Sequence, residues 1–199
     1  MTQSQAEIIN EKVVFKGFNQ INEYDLKVRS LKNPDKLLPP MNREVFHVED
    51  AVAVLIYVRS ADSFLICQQF RTGVFFNEEG RDPFIFEIPA GMIEKGLSPK
   101  DTALKEVEEE TGLKIEHVEQ FQIAYNSTGR MTEKTYLYYA EVDSIPNTGM
   151  YGVEDEGEEI KTHLIPREKV YEMIKDGTII HAQTLLALYW YRTVKDDKK

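Results

Sequence analysis

The apolar positions fall into short blocks whose periods change along the chain. Ala51-Val-Ala-Val-Leu-Ile-Tyr-Val58 is continuously apolar. It is too short for a buried helix and suits a strand covered on both faces. Ser63-Phe-Leu-Ile-Cys-Gln-Gln-Phe-Arg71 follows, with Ala61-Asp62 supplying the turn of a hairpin. Upstream, Lys12–Lys16 and Tyr24–Arg29 read as short strands, the second with a clear period of two. Further strands are predicted at 84–88, 117–125, 134–143 and 160–165. A polar loop is expected at 77–83 and a Gly- and Glu-rich one at 147–159. Helices are predicted at 99–111, at 167–175 with Gly177 closing it, and at about 182–194. Asn33-Pro34-Asp35 and Pro39-Pro40 mark turns, which puts a boundary near residue 40. The reading is an N-terminal β-strand region, 1–40, followed by a main domain, 41–199. Strands with one internal helix and late helices imply an α/β (α+β) fold. Its mixed sheet should lie between helices, as an α/β/α sandwich.

Charge narrows the partners. The formal net charge is -10, which argues against a basic nucleic-acid-binding face. It does not argue against a phosphate substrate, because bound cations invert the local charge of an acidic site. No apolar run approaches the ~18 residues of a membrane span. The start, Met1-Thr-Gln-Ser-Gln-Ala-Glu7, lacks the basic and apolar regions of a secretory signal. Cys67 is the sole cysteine, so no internal disulfide forms and a reduced, cytoplasmic setting is expected. Its place in an apolar strand predicts a small buried hydrophobe.

The chemistry concentrates in 90–113. Ser98 is an N-cap residue, Pro99 suits the first helical position, and Asp101 can close a capping box. Gly112 is a natural C′ residue. Glu106, Glu109 and Glu110 share one helical face, while Ala103, Leu104 and Val107 line an adjoining apolar one. Like charges at this spacing repel, and they crowd the end of the helix where the macrodipole disfavours anions. Each cost is only tenths of a kcal/mol at an exposed site, so a solvated acidic face would explain the glutamates taken alone. The frame of glycine, loop, capped helix, glutamates and glycine points instead to Mg²⁺, which takes carboxylate oxygens and completes its shell with substrate phosphates.

This frame resembles the Nudix box: glycine, five residues, glutamate, seven residues, then Arg-Glu-apolar-any-Glu-Glu-any-Gly-apolar. Gly91, Glu106, Val107, Glu109, Glu110, Gly112 and Leu113 match in register. Leu97 stands where the family has its first glutamate, and Lys105 where it has arginine. Those two commonly pair in the family, so their joint change implies the loss of one salt bridge. Gly152-Val-Glu154-Asp-Glu156-Gly-Glu158-Glu-Ile160 alone would read as a solvated acidic loop. Beside the box it resembles the loop of the Nudix nucleoside-diphosphate-sugar hydrolases.

The resemblance implies a set of roles. Glu106, Glu110, Glu158 and the carbonyl of Ala90 would hold Mg²⁺, with Mn²⁺ as a substitute. Glu109 would stand in or just behind that set, and Glu156 would be the catalytic base, with Glu154 as alternative. Gln68-Gln-Phe-Arg71 and Asn42-Arg43 resemble substrate-binding stretches, so Arg71 and Arg43 are candidates to grip phosphate; surface ion pairs are the competing reading. A base-stacking aromatic is expected, Phe18 or Phe46. The implied activity is cleavage of ADP-ribose to AMP and ribose 5-phosphate. GDP-mannose and UDP-sugars are alternative substrates, and the longer 71–87 loop favours GDP-mannose. A non-catalytic nucleotide-sugar sensor is the rival of another class. It would be expected to lack the box glutamates and to carry a DNA-binding domain. Relatives of this group often dimerise through their N-terminal strands, so a homodimer is expected.

Overall fold

The computed structural model describes residues 5–77, 79–153, 155 and 157–196. Two compact units form, one running up to Asp50 and including Tyr125–Lys134, the other comprising Ala51–Ala124 and Thr135–Lys199. The first unit extends past the boundary expected near residue 40. Its core element is a three-stranded antiparallel sheet of β1 (Ala6–Lys16), β2 (Gln20–Val28) and β3 (Met41–His47), in that order. The strand at 41–47 does not appear in the sequence pattern. It forms because Met41–His47 pairs in unbroken register with Leu26–Gln20. β1 is an edge strand and exposes Ile8, Ile9, Val13, Val14 and Phe15.

The second unit is built on a mixed sheet. β4 (Ala51–Val58), β5 (Ser63–Phe70), β6 (Phe84–Glu87), β7 (Ala90–Met92), β8 (Glu119–Tyr125), β9 (Lys134–Val142), β10 (Met150–Tyr151) and β11 (Ile160–Pro166) make it up. β4 runs parallel to β9 and antiparallel to β5 and β7. A turn of helix, α1 (Thr72–Phe75), follows β5. The longer helices are α2 (Pro99–Thr111), α3 (Arg167–Lys175) and α4 (Ala182–Tyr191), the last ending in a π-helical turn at Arg192–Asp196.

β4 explains the two-sided core. Ala53, Leu55 and Tyr57 point into a cluster with Val170, Met173, Ala187, Leu188 and Tyr191 of α3 and α4. Val52, Val54 and Ile56 point the other way, onto Ala103 and Val107 of α2. The alternation of a strand thus places one helix layer on each face, which is the expected α/β/α sandwich. Val52, Val54, Leu55 and Ile56 are fully buried, and each contributes ~1.5–3 kcal/mol of transfer free energy.

One departure from a regular sheet positions the site. β4 meets β5 only at Ile56–Val58 and then diverges from it. In the fork, β5 pairs with β6 through Cys67–Phe70, and β4 pairs with β7 through Ala51–Ala53. The Val54 amide donates to the Pro89 carbonyl at 2.9 Å, which anchors the crossing between them. The fork therefore holds Glu87 and the Ala90–Gly91 backbone at fixed places beside α2.

Candidate active site

α2 starts as its sequence dictates. Ser98 is extended, its hydroxyl accepts from the Asp101 amide at 3.1 Å, and Pro99 occupies the first turn. It ends at Gly112, whose φ of 66° is left-handed and whose amide donates to the Glu108 carbonyl. Ala103 and Val107 seat the helix on the sheet, which turns Glu106 and Glu110 toward the fork.

The two glutamates flank the same piece of backbone. Glu110, 1% exposed, accepts a hydrogen bond from the Ala90 amide at 3.0 Å. Glu106 lies against Gly91 so closely that a Cβ there would stand 2.2 Å from its carboxyl carbon. The glycine is thus required for contact, not for backbone freedom. Glu158 comes close enough from the distal loop to act electrostatically on both. Burial, then repulsion from Glu109, Glu158 and Glu94, pushes the Glu106 carboxyl up to about 7 against the pull of Lys105. Burial raises Glu110 well above the carboxylate range, with Glu106 and Glu158 adding to it and the Ala90 amide and Arg71 opposing.

Such crowding of anions calls for a cation. The donors are all oxygen, which suits a hard divalent ion. Among the described residues, no three carboxylate, imidazole or thiolate side chains already form a closed cage. Mg²⁺ does not require one, since it keeps several waters and binds through one or two carboxylates plus phosphate. The residues present therefore fit the group.

The raised Glu106 pKa has a measurable consequence. A carboxyl with a folded pKa above its unfolded value adds stability that is complete in acid. That stability is lost as pH rises from about 4.5 through about 7. Calorimetry in EDTA should show Tm falling across this window in the wild type and less steeply in Glu106→Gln, where the raised Glu110 carboxyl still contributes. Saturating Mg²⁺ should raise Tm more at about pH 8 than at about pH 5, because cation and proton compete for the same oxygens. Equal Mg²⁺ stabilisation at both pH values would contradict this.

Arg71 is placed differently from a free phosphate ligand. Its Nε and Nη2 both donate to Oε2 of Glu87, at 2.8 and 2.6 Å. Glu87 is 1% exposed, whereas the arginine side chain is 39% exposed. Burial opposes the guanidinium charge, but the bonds to Glu87 outweigh it and the Arg71 pKa rises. Nη1 makes no hydrogen bond among the described residues. Gln69 donates weakly to Glu87 at 3.4 Å, and His181 Nδ1 lies 3.8 Å from its other oxygen. Burial lowers the His181 pKa despite Glu87, so the imidazole is neutral and this contact is not an ion pair. His181 also bonds Thr184 at 3.0 Å, and Thr184 accepts from the Ile88 amide at 3.0 Å. Glu87 was not singled out from the sequence, where it reads as one polar position in an apolar strand. Its signal is the lone acid in Phe84-Ile-Phe-Glu-Ile.

Other residues fall as follows. Cys67 is fully buried, and burial, then Glu110 and Glu87, raises its thiol pKa. Arg43 lies on β3 in the N-terminal unit, exposed, with Nη1 donating to the Asn42 carbonyl at 2.6 Å. Phe18, exposed between β1 and β2, and Phe46, on β3, also belong to that unit. The expected base Glu156 and its alternative Glu154 lie outside the described residues.

The NUDIX domain model matches residues 49–188. The chain belongs to the NUDIX family. It is 31% identical to the ADP-ribose pyrophosphatase of Haemophilus influenzae over 95% of this chain and 87% of that one. It is 29% identical to the ADP-ribose pyrophosphatase of Escherichia coli (strain K12), over 94% and 88%. It is 30% identical to the GDP-mannose pyrophosphatase of Pectobacterium atrosepticum, over 93% of each. Among solved structures, an ADP compounds hydrolase superposes with a TM-score of 0.73 over 100% of this chain and 98% of its own, at 16% identity, a likeness of fold.

Within this NUDIX domain Leu97 offers Lys105 no carboxylate, yet Lys105 has acidic partners elsewhere. Lys105 bridges Glu94 at 2.8 Å and Glu109 at 2.5 Å. Glu94 supplies a loop carboxylate to Lys105, and Leu97 is exposed. The tie between the loop and α2 persists with a shifted acidic partner, and Lys105 also neutralises part of the glutamate face.

Gly91 offers a clean test of the geometry. In Gly91→Ala the flexible end of Glu106 must move, while the backbone need not. We expect a urea midpoint near that of the wild type and a kcat lower by on the order of 10²-fold, the cost of misplacing a catalytic group by about 1 Å. Wild-type kcat in a folded Gly91→Ala protein would show that Glu106 does not need its observed place.

Proposed function

We propose that this NUDIX hydrolase cleaves the diphosphate bridge of a nucleoside diphosphate sugar, with ADP-ribose as the preferred substrate and AMP and ribose 5-phosphate as products. The observation that carries the reading is the convergence of Glu106 and Glu110 on the Ala90–Gly91 backbone, with Glu158 and the Arg71 guanidinium within electrostatic reach. The names of the relatives support the substrate class.

Glu106, Glu110, Glu158 and the Ala90 carbonyl would hold a divalent cation, Mg²⁺ first and Mn²⁺ as substitute. When bound, the cation neutralises the diphosphate and lowers the pKa of water. The chain's own groups do the rest. Nη1 of Arg71, not engaged by Glu87, is available to a phosphate oxygen. Arg43 is retained as a second phosphate ligand on the resemblance alone. Glu156 takes the proton of the attacking water, with Glu154 as alternative, and Glu109, its carboxylate held by Lys105, stands in or just behind the set of cation ligands. The water oxygen bonds to one phosphorus, the bridging P–O bond breaks, and the other phosphate leaves with the bridging oxygen. Preorganised charge accounts for most of the acceleration.

A second copy of the chain is the proposed partner. The apolar side chains on edge strand β1 support this, and sedimentation showing only monomer would oppose it. The proposed setting is the cytoplasm, which suits both a nucleotide-sugar substrate and the single thiol of Cys67. GDP-mannose is the second substrate reading, favoured by the relatives that carry that name. A panel of ADP-ribose, GDP-mannose and a UDP-sugar, assayed with Mg²⁺, tests the assignment. The highest kcat/KM is expected for ADP-ribose. GDP-mannose in first place would move the base and sugar but keep the reaction. Tight binding without turnover would favour a sensor.

A further inference from the structure

The loop that brings Glu158 to the site is fastened to the carboxyl end of α2 at one point. Gly112 closes the helix, and the Tyr151 ring rests on it: a Cβ at Gly112 would stand 2.5 Å from Tyr151 Cε1. The next residue, Gly152, donates its amide to the Glu109 carbonyl at 3.3 Å. That carbonyl is in the last turn of α2, where no intrahelical amide reaches it. The Leu113 amide turns instead to the Thr111 hydroxyl.

Among the described residues of the loop, Gly152 and Val153 lie against Glu158. Gly152 has a φ of 105°, and a Cβ there would lie 2.8 Å from the Glu158 carbonyl oxygen. The Glu158 amide donates to the Val153 carbonyl at 3.2 Å. Tyr151 itself is held on two more sides. It pairs with Ile160 between β10 and β11, and its hydroxyl donates to the Asn147 carbonyl at 3.1 Å. Glu158 therefore departs from an anchored point and arrives within electrostatic reach of Glu106, Glu110 and Arg71.

We infer that Tyr151 is a positioning residue: its ring, seated on Gly112, docks the acidic loop on α2 and sets where Glu158 stands relative to Glu106 and Glu110. The ring edge at Cε1 and Cζ makes this seat, and the hydroxyl beside it donates to the Asn147 carbonyl. The glycine at position 112 serves two ends at once, the left-handed turn and the seat for the ring. This inference rests on the proposed role of Glu158 as a cation ligand.

The test is Mn²⁺ binding followed by electron paramagnetic resonance, alongside substrate KM and urea midpoints, for Tyr151→Ala, Tyr151→Leu, Tyr151→Phe and Glu158→Gln. Tyr151→Ala and Tyr151→Leu should weaken Mn²⁺ binding by about 10–100-fold, the range for groups that orient metal ligands. KM measured at saturating Mn²⁺ and the urea midpoint should stay close to wild type. Tyr151→Phe should restore Mn²⁺ affinity to within about 2-fold of wild type. If Tyr151→Ala does not fold, Tyr151→Leu, which keeps apolar volume but not the flat ring, carries the test. Unchanged Mn²⁺ affinity in the folded alanine or leucine variant, with affinity lost in Glu158→Gln, would overturn the inference and leave the ligand role standing. Unchanged affinity in Glu158→Gln would instead remove the ligand role on which the inference depends.

Discussion

Glu110→Gln is expected to lower kcat/KM by on the order of 10³-fold, the scale of losing a principal charge-stabilising group. The cation-free protein should be at least as stable as wild type. The two halves of this prediction have one cause. Glu110 is 1% exposed, and its carboxyl is raised by burial and by the nearby charges of Glu106 and Glu158. Ionised, it opposes folding; with a cation in place, the same charge serves the reaction. Glutamine keeps the shape and an oxygen to accept from the Ala90 amide, and it removes the repulsion. Activity assays with urea unfolding in EDTA check both halves together. A variant that lost activity because it unfolded would not meet the expectation. Nor would a stable variant with wild-type turnover.

Arg71→Met should cost about 3 kcal/mol of stability, at the low end of the range for breaking a buried ion pair because the guanidinium is partly exposed. It leaves the Glu87 carboxylate buried without the guanidinium that pairs with it. Arg71→Met with Glu87→Met should recover much of the loss, since removing both charges removes the desolvation cost. Substrate affinity should fall in both variants if Nη1 grips phosphate. Urea midpoints give the stability cycle, and KM gives the binding arm. A single mutant as stable as wild type would mean that Glu87 is satisfied without Arg71. Unchanged KM in the restored double variant would confine Arg71 to a structural part.

Where the sequence was legible, its signals were local. α2 could be bounded closely because Ser98, Pro99, Asp101 and Gly112 each act within one turn. β4 could be read because a continuous apolar run of that length has few other uses. The helix layers followed from counting elements. The strands that escaped depend on distant partners. Met41–His47 alternates weakly and becomes a strand by pairing with β2. Ala90–Met92 has no strand character of its own and acquires it against Ala51–Ala53 in the fork.

The site divides in the same way. Glu106 and Glu110 were legible from helical spacing and from the box. The seating of Gly91 on Glu106 was implicit in the glycine, but its reason is a contact across the fork. Glu87 was illegible because an acid in a short apolar strand ordinarily faces water. Only the fork buries it beside Arg71. The pairing of Lys105 with Glu94 crosses a loop whose path the spacing does not fix, so the change at Leu97 looked like a loss.

The α2 glutamates are proposed to serve divalent-cation-dependent cleavage of a sugar nucleotide at its diphosphate. Anion-exchange analysis of ADP-ribose incubated with the wild-type protein, with Mg²⁺ and with EDTA, tests it most directly. AMP and ribose 5-phosphate should form in equal amounts with Mg²⁺ and neither with EDTA. Equal product formation in EDTA, or release of ADP and free ribose, would contradict it.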